Sequence, residues 1–374
     1  MSASAKARMA VPQIRAREFP QIDAGQWNDA ALRDRQARVQ QSFQGAAIRH
    51  GAEGIRPLFL TAHLDQQVVG QLLLSQGFVH PDLLQWCEPL LRTRLCRNWW
   101  GVYRWIGGPL VAEEDAYPAV LRQMLHYLDL RARDEGILAI CDATPGFHSP
   151  HLAAEEEAAI FADLGFTRRE QATMVLDLGP DLDSLWRGLS RDARQKVQKA
   201  ERLGIRVVEA HTEEGIRRYY SVRRENSRRN GVRCPHLKGI LAAGPVYLAH
   251  DMGKVFLTEY EGRVLSGQML VHFNGYVQLA GICLSDYAWE QGLPANDLMQ
   301  WHLIRWGRES GKRSVDWSGY TPDPTTDKER GINTFKGKWG GRVIRYGVYD
   351  KVYGPRREAA MQWVKDLAKG KGRK

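Results

Sequence analysis

Cysteine is scarce and unpatterned. The chain has five, Cys87, Cys96, Cys141, Cys234 and Cys283, with no C-x-x-C pair. Such a set argues against a disulfide framework and a zinc site, and for a reducing compartment. Long apolar runs are missing as well: no stretch approaches the ~20 residues needed to span a bilayer. The expected location is cytoplasmic, with peripheral contact at the inner membrane surface left open. Several catalytic and nucleotide-binding motifs are also missing. There is no G-x-S-x-G elbow, no G-x-x-x-x-G-K-S/T loop and no H-E-x-x-H. The eleven histidines are dispersed, and no metal is expected.

Against these absences stand 374 residues, 43% of them hydrophobic, and twelve tryptophans. That length suggests roughly two to three domains of about 150 residues. The hydrophobic fraction suits packed cores rather than a disordered chain. Net charge is +10 and the pI is about 9.4. Charge of this sign favours polyanionic partners such as nucleic acid, anionic lipid surfaces or nucleotide-linked substrates. Residues 1–19 read as a disordered basic leader without an apolar signal core.

An internal repeat organises the rest. Leu58 to Leu74 reads LFLTAHLDQQVVGQLLL, and Val255 to Val271 reads VFLTEYEGRVLSGQMLV. They align without a gap, with six identities in 17 positions, against about one expected at average residue frequencies. Both predict a β-hairpin: an apolar strand, a polar turn, a second apolar strand. Next, Tyr117-Pro118-Ala119 opens a helix ending at Asp134-Glu135-Gly136, and a strand runs to Asp142. In the second copy, Leu293-Pro294-Ala295 opens a helix ending at Glu309-Ser310-Gly311, and a strand runs to Asp316. Proline at a helix start and glycine just past its end are the expected boundaries. A third element follows in each copy, around Phe161 to Phe166 and around Phe335 to Gly341.

This order resembles the acyltransferase fold of the N-acetyltransferase superfamily. The expected class is therefore α/β, two tandem acetyltransferase-like domains, each a mixed sheet flanked by helices. The expected bounds are 20–180 and 181–355, with a C-terminal helix and basic tail at 356–374. Members of that superfamily hold the CoA pyrophosphate on a glycine-rich turn at a helix N-terminus, where free N–H groups face the anion. The matching turns here are Glu113-Glu114-Asp115-Ala116-Tyr117-Pro118 and Glu290-Gln291-Gly292-Leu293-Pro294-Ala295. The first carries three acids. The second has one glycine, and its proline lacks an N–H. Neither favours acyl-CoA.

Two segments are strongly basic. Trp186 to Leu203 sets Trp186, Leu189, Ala193, Val197 and Ala200 at helical spacing, with six cations on the remaining surface. Arg217 to Arg233 holds seven arginines with Tyr219 and Tyr220 interleaved. Arginine forks suit phosphate, and aromatic faces suit bases or sugars.

The pattern Leu185-Trp-x-x-Leu-x-x-x-x-Arg194-x-Lys196-Val197-x-Lys199-Ala200-x-x-x-Gly204 resembles that of the FemABX peptidyltransferases. So do Val315-Asp316-Trp-Ser-Gly319 and Phe335-Lys336-x-x-x-Gly340. The resemblance implies an aminoacyltransferase. It would move an aminoacyl group from aminoacyl-tRNA, a co-substrate, to an amine on the peptide of a UDP-linked or lipid-linked peptidoglycan precursor. No other cofactor is implied. A CoA-dependent N-acyltransferase acting on an envelope sugar, and a non-catalytic RNA- or envelope-binding protein, are the alternatives.

The resemblance also implies roles. Lys336 would stabilise charge developing on the carbonyl or the departing ribose oxygen. Phe335 would pack against the terminal nucleotide. On the residues alone, this pair reads as a strand with a buried Phe and a solvated Lys. Lys338 and Trp339 are further candidates for substrate contact. Arg49 stands where the family often places a lysine that contacts the acceptor diphosphate. Arg229 and Arg233 follow the family's basic pattern around Gly231, while Leu237 replaces an expected tyrosine. Asp316 ends a strand and would orient a nucleophile or a loop. Thr321 to Gly331 reads as a mobile loop beside Lys336. No long helical-hairpin insertion is present, so the compact form of the family is expected.

Overall fold

The computed structural model describes residues 11–18, 21–53, 55–78, 101–146 and 152–360. The expected disorder of residues 1–10, the two cysteines Cys87 and Cys96, and the basic tail 369–374 lie outside these. The chain divides into two compact units. One comprises Met1–Ala46, Gly54–Arg169 and Gly347–Lys374; the other comprises Ala47–Glu53 and Glu170–Tyr346.

The first unit is built on strands β1 (Gln13–Glu18), β2 (Arg56–Leu64), β3 (Gln67–Phe78), β4 (Gly101–Arg104), β5 (Leu110–Val111) and β6 (Ala139–Ala143). The hairpin β2–β3 is as expected. Its two turn residues, Asp65 and Gln66, both take positive φ, 45° and 71°, which matches the twist of a two-residue hairpin. Helix α1 (Ala24–Arg33) and the start of α2 (Phe43–Glu53) precede the hairpin. Helix α3 (Tyr117–Asp134) has proline in its first turn. Its apolar face, Val120, Leu121, Met124, Leu125 and Leu128, is wholly buried. Helix α4 (Ala154–Asp163) leads into β7 (Thr167–Asp177). The leader expectation fails in part, because Gln13–Glu18 pairs antiparallel with β2 from Gln13↔His63 to Glu18↔Leu58. Its alternating QIRARE pattern fits a strand with one half-buried face.

The second unit repeats the plan. Helices α5 (Leu182–Gly188), α6 (Arg191–Arg202), α7 (Glu213–Arg229) and α8 (Leu237–Ala249) are followed by β9 (Gly253–Tyr260), β10 (Arg263–Phe273) and β11 (Tyr276–Leu284). Edge strand β8 (Arg206–Glu209) lies between α6 and α7 in sequence. Then come α9 (Asp286–Glu290), α10 (Ala295–Glu309), β12 (Ser314–Asp316), α11 (Asp327–Gly337) and β13 (Arg342–Val352). The β9–β10 turn, Glu261-Gly262, has φ of 49° and 75°, the same solution as in the first unit. In the expected stripe Leu189, Ala193, Val197 and Ala200 are buried and Trp186 is partly so. The stripe belongs to two helices, however: Ser190 breaks the run by accepting the N–H of Ala193 with its side chain and capping α6.

The last strand of each sequence repeat completes the other unit. β13 pairs with β6, Tyr349↔Ala143 to Val352↔Ala139, so Gly347 onward belongs to the first unit. β7 pairs with β12, Ser314↔Asp177 to Asp316↔Val175, so Glu170 onward belongs to the second. The expected boundary at 180/181 therefore moves to 169/170. Residues 347–355, expected in the second domain, fall in the first unit. Tyr349 shows why: it is 1% exposed and stacks on Phe161 with centroids 3.7 Å apart. A final helix starts at residue 355 and is described as far as 360.

Candidate active site

In the second unit β11 and β12 run parallel and pair only from Tyr276↔Ser314 to Gln278↔Asp316. Beyond that point β11 continues to Leu284 while β12 ends. The ladder ends there, and the chain leaving β12 is bonded to β11 through the Ser318 hydroxyl, which donates to the Leu279 carbonyl at 3.2 Å. Just there β11 bulges: its register with β10 shifts so that Leu270 faces Leu279 and Met269 faces Gly281. Ala280, the extra residue, is exposed. Bulges of this kind re-aim a strand beside a site. Gly281 lets a side chain cross close to the strand. A Cβ there would stand 1.8 Å from Nη1 of Arg223. That guanidinium also donates to the Tyr219 hydroxyl at 2.9 Å, and Tyr219 in turn donates to the Gly281 carbonyl at 3.1 Å.

The chain leaving β12 lies beside this bulge. Asp316 is 0% exposed. Its carboxylate accepts from the hydroxyls of Thr173 and Tyr276 and, at 2.7 Å, from the N–H of Ser318. Ser318 and Gly319 are both left-handed, with φ of 51° and 45°. The flanking N–H groups of Trp317 and Tyr320 bond to the carbonyls of Met174 and Ala172. The turn is thus pinned against β7 at both ends and tied by Asp316 in the middle. That arrangement aims the carbonyls of Ser318 and Gly319 at the Lys336 ammonium, which donates to both. Burial pulls the Lys336 pKa down to about 8, with Asp316 nearby opposing the fall.

Phe335 and Lys336 occupy the last turn of helix α11, not a strand. Thr326 starts that helix with a capping box shared with Glu329. The expected loop at 321–331 is therefore helical from Asp327 onward. Phe335 is half-buried and meets Trp339 edge-on at 5.9 Å. The structure thus brings Asp316, Phe335 and Lys336 together.

The other candidates divide. Trp339 is 0% exposed and part of the core, so its expected contact with substrate is withdrawn. Lys338 is tied to Asp192 at 2.6 Å and lies 3.7 Å from Asp297. Burial alone would depress its pKa, but those two acids hold it above the ordinary value. Arg229 binds Asp286 at 2.5 Å and the Leu284 carbonyl at 2.8 Å, and lies over the Trp289 ring. It braces the end of β11. Arg233 is exposed, 3.2 Å from His236. Arg49 is half-buried on α2, within the stretch Ala47–Glu53 that groups with the second unit. Of the remaining arginine run, Arg217 binds Glu213, Arg218 binds Glu259 and Arg228 binds Asp286. Much of that charge is neutralised inside the unit. Sequence reading missed Tyr276, Thr173 and the Ala280-Gly281 bulge. Only the glycine inside an apolar strand hinted at the last of these.

The turn before α10 is largely bonded to itself, and the turn before α3 is acidic. At α10 the N–H groups of Gly292, Leu293 and Ala295 already donate to Trp289, Ala288 and Leu293 carbonyls, and Pro294 has none. At α3 the exposed acids Glu113, Glu114 and Asp115 precede the helix.

Residues 187–329 match the acetyltransferase (GNAT) domain family. A comparison with curated proteins returns no match for this chain. Among solved structures, the crystal structure of FemX superposes with a TM-score of 0.72 over 91% of this chain and 98% of its own, at 15% identity. This chain has the fold of FemX. A tandem GNAT protein from the clavulanic acid biosynthesis pathway is similar at TM-score 0.52 and 14% identity, covering 91% of this chain and 98% of that one. A C-terminal domain assigned to a lysylphosphatidylglycerol synthetase of Agrobacterium fabrum gives 0.51 and 14%, covering 90% and 94%. The GNAT match stops at residue 329, before the Phe335-Lys336 turn.

Proposed function

We propose that this FemX-like chain is an aminoacyltransferase. It takes an aminoacyl group from aminoacyl-tRNA and joins it to an amine on the peptide of a UDP-linked or lipid-linked peptidoglycan precursor. One observation carries the choice of donor. The Lys336 ammonium is held by the Ser318 and Gly319 carbonyls just past the end of β12, as stabilisation of an acyl-transfer oxyanion would need, while the turn before α3 is acidic and the turn before α10 contains a proline and is largely bonded to itself, which favours aminoacyl-tRNA over acyl-CoA. In this reading the acceptor nitrogen attacks the ester carbonyl, and the C–N bond forms as negative charge gathers on the carbonyl oxygen. The C–O bond to ribose then breaks, and the proton lost by the amine balances the one gained by the ribose oxygen. The Lys336 ammonium, steered by the Ser318 and Gly319 carbonyls, stabilises the charge. Asp316 acts through the turn it ties, as a positioning residue. Phe335 offers a face to the terminal base of the donor, and Arg49 and Arg233 supply cations toward the acceptor phosphates.

Incubation with charged tRNAs and UDP-linked or lipid-linked precursors, read by mass, tests this. The expected result is a precursor heavier by one aminoacyl residue. Lys336→Ala is expected to lower the rate by about 10²–10³. Transfer from acyl-CoA with no tRNA requirement would establish instead the N-acyltransferase reading, which the GNAT match of residues 187–329 favours.

A further inference from the structure

From Asn226 to His250 the chain contains no acidic residue, yet it carries Arg228, Arg229, Arg233 and Lys238. The second half of this stretch is helix α8, LKGILAAGPVYLA. Only Gly244 in it is fully buried. There the missing side chain lets α7 approach, since a Cβ would lie 3.0 Å from Ile216. Ile240, Leu241 and Leu248 pack on the cluster formed by Ile216, Tyr219, Val222 and Leu257. At 3.6 residues per turn the opposite face consists of Lys238, Ala242, Pro245, Val246 and Ala249. Lys238, Ala242, Val246 and Ala249 are exposed, Val246 to 37%. The preceding turn exposes Val232 to 45%. A helix face turned to water is normally charged or polar. This face has one lysine and is otherwise apolar.

We infer that the outer face of α8, with the basic turn before it, docks on an anionic lipid surface. Charge complementarity selects this occupant. Arg233 and Lys238 are exposed, Arg228 and Arg229 are held by Asp286, and the two acids that flank the stretch are engaged, Glu225 by the Asp286 N–H and Asp251 by Lys254. Each cation brought to an anionic surface strengthens binding roughly fivefold. The outer face has no aromatic residue to serve as the anchor of a protein interface. The helix has 13 residues, short of the ~20 that cross a bilayer, so it lies on the surface. The inference narrows the membrane contact raised by the sequence to one helix, and it does not depend on the acyl-transfer reading.

The test uses the full chain and sedimentation with vesicles of phosphatidylcholine, with and without phosphatidylglycerol. Binding is expected only with the anionic lipid and is expected to weaken as salt rises. Lys238→Glu and Val246→Asp should each weaken it about tenfold or more, while Val246→Leu should strengthen it. The last variant adds apolar surface to an exposed position, so it reports even if the others fold poorly. Equal binding to both vesicle types would overturn the proposal, as would variants without effect. So would a self-association abolished by Val246→Asp, which would make α8 the seat of a second copy. Loss of tRNA binding on Lys238→Glu with vesicle binding unchanged would also overturn it.

Discussion

Lys336, half-buried, and Glu157, buried, are two ionisable groups with opposite consequences. Lys336 has its pKa lowered to about 8 by burial, so its ammonium is intact below that pH and disappears above it. Transfer is expected to fall as pH rises through about 8, and Lys336→Arg should remove that limb because arginine stays charged. A pH–rate profile of both proteins checks this. The folding contribution has the reverse sense. A depressed lysine pKa destabilises the fold at neutral pH and ceases to do so as pH rises toward 10.5. Glu157 sits in the core of the first unit between the hydroxyls of Tyr117 and Tyr349, at 3.4 and 3.2 Å. Burial lifts its pKa from 4.5 to about 7. The proton it binds on folding therefore favours the fold below 4.5, and this advantage is lost as pH rises through 7. Glu157→Gln should raise stability at pH above 7 by roughly 1–3 kcal/mol and flatten its pH dependence. Thermal unfolding at several pH values reads this directly.

Among elements, helix α11 is the part on which the site depends most. Gly340 follows it with φ of 79°, and a Cβ there would stand 3.1 Å from the Gly188 carbonyl. Gly340→Ala should cost about 1–3 kcal/mol and tilt the turn that carries Phe335 and Lys336. Reduced transfer with a lowered melting temperature is the expected pair of readings. The elements themselves were legible in the sequence: the hairpins, α3, α10 and the strands after them all stand where periodicity and their Pro and Gly boundaries put them. The nature of α11 was not legible. Its capping box, Thr326 with Glu329, is a local signal, but Pro322 and Pro324 just ahead of it read as a loop. The setting of Asp316 was hidden for a different reason. Two of its partners, Thr173 and Tyr276, lie 143 and 40 residues away, and no local spacing encodes such a meeting. Arg229 and Lys338 read as ligand contacts because their acids, Asp286 and Asp192, are likewise distant in sequence.

For the molecule as a whole, the exchange of last strands could not be inferred from the repeat. β7 and β13 each follow a helix and a glycine in the same order, and each could have closed its own copy. The exchange means that neither unit is encoded by a continuous segment. A fragment ending at residue 180 lacks β13, and with it Tyr349 from a core it shares with Phe161. Such a fragment is expected to be unstable alone. Adding residues 342–360 as a separate peptide should restore part of its cooperative unfolding, as followed by circular dichroism. The same exchange imposes an order in time. As the chain leaves the ribosome, nearly all of the first unit emerges early but must wait for the last strand to be synthesised. The second unit has its borrowed strand, β7, available before its own helices appear. The half translated later can therefore reach its closed state at about the same moment as the half translated first.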